Sequence, residues 1–115
     1  MTFEEFLQLK KQPFFKGEIV TGSMDPLMPI GTSIVVANNH QDLKRFDIIV
    51  FFQDGKLICH FLWQMNKTVK PILIQTRNLL NLGHDYPIKE ESYLGKVVSH
   101  KLRLRDKIRT LLNLG

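Results

Sequence analysis

A serine preceded by glycine stands in Thr21-Gly22-Ser23-Met24-Asp25-Pro26, where a short apolar stretch gives way to a loop punctuated by Pro26, Pro29 and Gly31. Such a loop exposes the hydroxyl, as a nucleophile requires: it must reach a carbonyl while a base reaches it. Glycine and serine together are equally the composition of an ordinary turn, so this segment alone leaves both readings open. The other chemically capable side chains are Cys59 and the histidines His40, His60, His84 and His100. Cys59 and His60 are neighbours in a strand pattern, so they point to opposite faces and do not form a catalytic or metal-binding pair. The remaining histidines lack ligand spacing, and no metal or cofactor is expected. Cys59 is the single cysteine, which excludes an internal disulfide.

The elements that would carry these groups are short. Thr2 and Glu5 have capping-box spacing, and Phe3, Phe6 and Leu7 share a helical face, so the first dozen residues read as a helix closed by Pro13 and Gly17. Glu18 to Val20 reads as a strand leading into the serine loop, and Thr32 to Ala37 as a β-branched strand. Asp54-Gly55 between the apolar runs Asp47 to Phe52 and Leu57 to Met65 signals a hairpin. Further strands are expected at Pro71 to Thr76 and Tyr93 to His100. Leu104, Ile108, Leu111 and Leu112 fall at helical spacing in the tail. The expected organisation is one mostly β domain: helix and loop over 1–16, a β region over 17–100, and a basic amphipathic helix over 101–115.

Several segments, taken in order, resemble the boxes of type I signal peptidases and their LexA-like repressor relatives. Thr21-Gly22-Ser23-Met24-Asp25-Pro26 resembles the nucleophile box, commonly Gly-Ser-Met-x-Pro. Arg45-Phe46-Asp47-Ile48-Ile49-Val50-Phe51 resembles the Gly-Asp-Ile-Val-x-Phe strand, and Ile58-Cys59-His60-Phe61 falls where the family carries its second catalytic residue. Thr76-Arg77 to Asp85 resembles the Thr-Lys-Gly-Asp-Asn-Asn box with its later aspartate, and Leu94-Gly95-Lys96-Val97-Val98 the terminal Gly-Lys-Val strand. The resemblance implies a β-barrel-type peptidase fold with short terminal helices. It also implies a serine endopeptidase that cleaves a leader or signal-like segment of an extended peptide.

Family members pair the serine with lysine or, in the archaeal and endoplasmic-reticulum type, with histidine. Here the slot holds His60, 37 residues after Ser23, while Lys56 lies beside the hairpin turn and Lys67 beyond the strand. The resemblance therefore implies the histidine type. A histidine base, with an ordinary pKa of about 6.5, avoids the desolvation that a lysine base needs. Asp85 is the implied third member, with Asp47 and Asp54 as rivals. The backbone amide of Ser23 and the hydroxyl of Thr21 are the implied oxyanion donors. The chain departs from the family at Phe46, where glycine is usual, at Phe61, where arginine is usual, and at Asn78-Leu79-Leu80-Asn81.

No apolar run approaches the roughly 18 residues of a spanning helix, and Glu4, Glu5, Lys10 and Lys11 interrupt any signal-peptide core. A cytoplasmic protein is expected, with a route to peripheral membrane contact through Phe3, Phe6, Phe14, Phe15 and the basic tail; packing of both terminal helices onto the β domain is the plainer account. The formal charge of +5, with Lys101, Arg103, Arg105, Lys107 and Arg109 crowding the tail, also admits nucleic acid, the weaker expectation. Two other readings remain: a catalytically inactive peptide-binding domain, and a LexA-like self-cleaving module.

Overall fold

Seven antiparallel strands and two helices form the molecule in a computed structural model that describes residues 1–25, 27–38, 43–66, 68, 72–79 and 87–112. Helix α1 (Phe3–Lys10) starts where the sequence predicts. The Glu5 amide donates to Thr2 Oγ1 at 3.1 Å and the Thr2 amide returns a bond to Glu5 Oε1, completing a capping box. Phe6 is its fully buried residue and stacks on Phe52, 4.8 Å between ring centroids.

Pro13 alone ends this helical stretch, because it lacks an N–H and pushes the residue before it out of the helical region. Strand β1 (Phe14–Glu18) therefore begins immediately, four residues earlier than the expected Glu18 to Val20, and Gly17 lies within it. Ile19 leaves the sheet to bond instead with Thr32 and Gly31 of the following loop. The remaining strands are β2 (Ser33–Ala37), β3 (Ile48–Gln53), β4 (Lys56–Asn66), β5 (Leu73–Arg77), β6 (Ile88–Lys89) and β7 (Tyr93–Val97); α2 (Leu104–Leu112) ends the described chain. β6 and the 3-10 turn after it, Glu90–Ser92, are too short to show a periodicity and were not expected. β7 stops short of His100 because the Val35 amide turns to the Ser99 hydroxyl, 3.0 Å away.

The sheet order is β1-β2-β7-β3-β4-β5-β6. This confirms a mostly β chain with two short helices but corrects the expected barrel: among the described residues the sheet is open, with β1 and the two-residue β6 as unpaired edges. Closure requires the edge strands to pair, and β6 offers only two residues of ladder. At the centre, Asp54 (φ 52°) and Gly55 (φ 77°) make the two-residue turn between β3 and β4, with Gln53 opposite Lys56. Two successive positive φ values are the type I′ geometry that matches strand twist. Gly95 of β7 is fixed by a closer constraint: a Cβ there would lie 2.6 Å from the Ala37 carbonyl oxygen.

Residues on the two faces of β3 and β4 feed two cores. Ile48, Val50, Phe61 and Trp63 pack with Phe6, Met24 and Met28, while Ile49, Phe51 and Leu62 pack with Ile74, Ile88 and Tyr93. Phe46, just before β3, has a left-handed, glycine-like backbone with φ 76°. A side chain there costs about 1–2 kcal/mol. Its ring packs on Phe61 and Trp63, at centroid distances of 6.2 and 6.0 Å, which offsets that strain.

Candidate active site

Ser23 enters its site through a tight turn. The Asp25 amide donates to the Gly22 carbonyl at 3.1 Å, and the Met28 amide to the Met24 carbonyl at 3.0 Å. A Cβ on residue 22 would lie 2.9 Å from Asp25 Oδ2, so any larger residue there would displace the Asp25 carboxylate. Met24 and Met28 are buried beneath the loop and anchor it to the first core. The Ser23 carbonyl accepts from the Leu79 amide at 2.9 Å, and the Leu79 carbonyl accepts from Arg109 Nη2 at 3.0 Å. The segment after β5 thus ties the serine loop to α2.

The Ser23 hydroxyl is half-buried and lies 3.2 Å from Thr21 Oγ1, within hydrogen-bonding distance. Both residues border a cavity of about 650 Å³ that is also bordered by His60. His60 sits on β4 opposite Ile49, half-buried, with its ring edge-on to Phe51 at 5.8 Å between centroids. The rest of the wall is largely apolar, including Phe15, Ile19, Ile34, Val50 and Leu57. Of the groups named from the sequence, Ser23 and Thr21 meet through their hydroxyls. His60 borders the same cavity from β4 with its ring against Phe51, on the strand face that alternation assigns opposite to Cys59. The fourth, Asp85, lies outside the described residues, as do His40 and His84.

The rival carboxylates have other tasks. Asp47 Oδ2 accepts from the Lys44 amide at 2.8 Å and pairs with Lys96 Nζ at 3.4 Å, which makes it a fastener for the turn into β3. Asp54 is spent on the β3–β4 turn. Lys56 borders the Ser23 cavity but is exposed, without the desolvation that a lysine base requires. Glu18, at the end of β1, is a carboxylate on the same cavity that sequence reasoning passed over; nothing in its local sequence distinguishes it from an exposed edge residue.

Cys59 also borders the cavity, although strand alternation separates its side chain from that of His60. Burial pushes its thiol up to about 12. It is therefore an uncharged part of the wall at neutral pH, and a poor nucleophile. Among the described residues no group of three or more histidine, cysteine, aspartate or glutamate side chains is arranged to hold a metal. No helix of the described chain is long and apolar enough to cross a membrane. Comparison with known proteins finds no matching family model, curated protein or solved structure.

Proposed function

We propose that the chain is a serine endopeptidase of the signal-peptidase type with a histidine base, acting on an apolar leader or signal-like segment of a peptide. The observation that carries this reading is the Ser23–Thr21 hydroxyl pair on one largely apolar cavity that His60 also borders. The open edge of β1 supports it as well. Phe15, Gly17 and Glu18 lie both on that edge strand and on the cavity, so an extended peptide pairing with β1 would pass the serine. About 650 Å³ of mostly apolar space suits the hydrophobic side chains of a leader segment.

In the proposed reaction Ser23 Oγ attacks the scissile carbonyl carbon while its proton passes to His60. The resulting oxyanion accepts hydrogen bonds from the Ser23 amide and from the Thr21 hydroxyl, which is already 3.2 Å from Ser23 Oγ. Collapse of the tetrahedral intermediate breaks the C–N bond, and His60 returns its proton to the departing amine. An ester to Ser23 remains. Water, giving a proton to His60, then attacks the ester carbonyl, releases the new carboxyl terminus and restores the serine. Asp85 is the proposed third member, orienting the imidazole and stabilising its cationic form.

Labelling with a serine-directed acylating probe tests the assignment. Wild type is expected to label, Ser23→Ala to lose labelling, and His60→Ala to label about 10² to 10⁴ times more slowly. Labelling that persists in Ser23→Ala removes the nucleophile from the scheme. Equal rates in wild type and His60→Ala remove the base.

A further inference from the structure

Helix α2 is docked with its polarity reversed. Asp106 and Thr110 are its buried residues, 4% and 0% exposed, whereas Leu104, Ile108, Leu111 and Leu112 are 74, 48, 50 and 80% exposed. At about 100° per residue these four apolar side chains share one stripe, opposite Asp106 and Thr110. The polar side is satisfied by the protein. Asp106 binds Arg103 through Nε at 2.8 Å and Nη2 at 3.1 Å, and the Thr110 hydroxyl donates to the Asp106 carbonyl at 2.8 Å. The apolar stripe faces solvent. The plainer expectation, that both terminal helices pack their apolar faces onto the sheet, holds for α1 through Phe6 and fails for α2.

Cations flank the stripe. Arg105 lies on one side along the helix and Lys107 on the other, with exposed Lys101 just before the helix. Lys101 and Lys107 also border a second cavity, of about 480 Å³, together with Lys44, Arg45, Lys96 and His100. Among its described residues the carboxylate is that of Asp47, which is paired with Lys96. An exposed apolar ridge beside a basic hollow matches a surface that is apolar inside and anionic at its rim.

We propose that α2 lies flat on an anionic phospholipid surface, with Leu104, Ile108, Leu111 and Leu112 in the acyl boundary and the flanking cations among the headgroup phosphates. Nucleic acid would place phosphates against the centre of the face, where the apolar stripe stands. A symmetric pair of α2 helices would set each basic flank near its own copy, since a two-fold contact uses the same patch twice. The inference rests on α2 and its surroundings, and it stands whether or not Ser23 is a nucleophile.

Co-sedimentation of the full chain with vesicles tests it. One set contains phosphatidylserine and phosphatidylcholine in equal parts, and the other phosphatidylcholine alone. Binding is expected to the mixed vesicles, weaker by about tenfold or more to the neutral ones, and to fall as salt is added. Ile108→Glu/Leu111→Glu and, separately, Lys101→Glu/Arg105→Glu are each expected to cut mixed-vesicle binding by about tenfold or more. These residues are exposed, so thermal melts are expected to match wild type. Three results would each overturn the proposal. The first is failure of the wild type to bind mixed vesicles, and the second is undiminished binding by Ile108→Glu/Leu111→Glu. The third is a concentration-dependent dimer, or a duplex-DNA complex, that the same variant abolishes while vesicle binding persists.

Discussion

Ser23 and Cys59 share a cavity wall yet differ in what their surroundings allow. The serine lies on a loop with a hydroxyl neighbour at 3.2 Å, while burial pushes the thiol up to about 12. The acid form of Cys59 therefore persists well above the pH of about 8.5 at which a free thiol is half ionised. Alkylation of native Cys59 by iodoacetamide is expected to be slow at neutral pH and still rising with pH beyond 9, as read by mass spectrometry. Cys59→Ser is expected to leave serine-probe labelling unchanged. A plateau in alkylation near pH 8.5 would contradict this placement of the thiol. The serine was legible from the sequence because glycine, proline and serine together specify a loop. The strand that carries His60 was legible from the Asp54-Gly55 hairpin, but one histidine in a strand carries no periodic signal of its own. Phe46 shows the reverse case: its left-handed backbone was invisible in the sequence, where a bulky residue argues against positive φ.

Among the elements, the β3–β4 hairpin and α1 are those whose local chemistry states their geometry outright, through Asp54-Gly55 and the Thr2/Glu5 box. The short β6 and the Ile19 detour depend on partners distant in the chain, so local patterns did not give them. In α2 the spacing of leucines and isoleucine announced a helix but not which side would dock, because periodicity reports a face without naming its partner. The buried side depends on Asp106, whose carboxylate accepts from the Arg103 amide and guanidinium. Burial pushes the Asp106 carboxyl up, but the bonds from Arg103 outweigh this and hold it below the usual carboxylate range. A depressed folded pKa stabilises the fold above about 3.9, the unfolded value, and this contribution is lost as pH falls through the lower folded one. Asp106→Asn is therefore expected to cost about 1–3 kcal/mol at neutral pH. The gap from wild type should close in acid, in thermal melts followed by circular dichroism. A gap that is constant with pH would show that the charge of Asp106 does not hold α2.

Across the whole molecule, the open sheet supports His60 directly, while the serine loop is held by Met24 and Met28 in the first core and by a further tie to α2. Strand β4 is flanked by β3 and β5 and carries His60 near the centre of the sheet. The Ser23 carbonyl is held by Leu79, and Leu79 by Arg109 of a nine-residue helix at the end of the described chain. Protection against hydrogen exchange follows the weakest cooperative unit that must open. The Leu79 amide is thus expected to exchange with the kinetics of α2, far faster than the amides of β3 and β4, and faster still in Arg109→Gln. Equal protection of Leu79 and the central strands would show that the loop opens only with the entire fold. The bond that orders the serine loop is then a local equilibrium of its own, separate from global unfolding. On that expectation, fraying of α2 loosens the Leu79 tie to Ser23 while Met24 and Met28 still hold the loop to the first core.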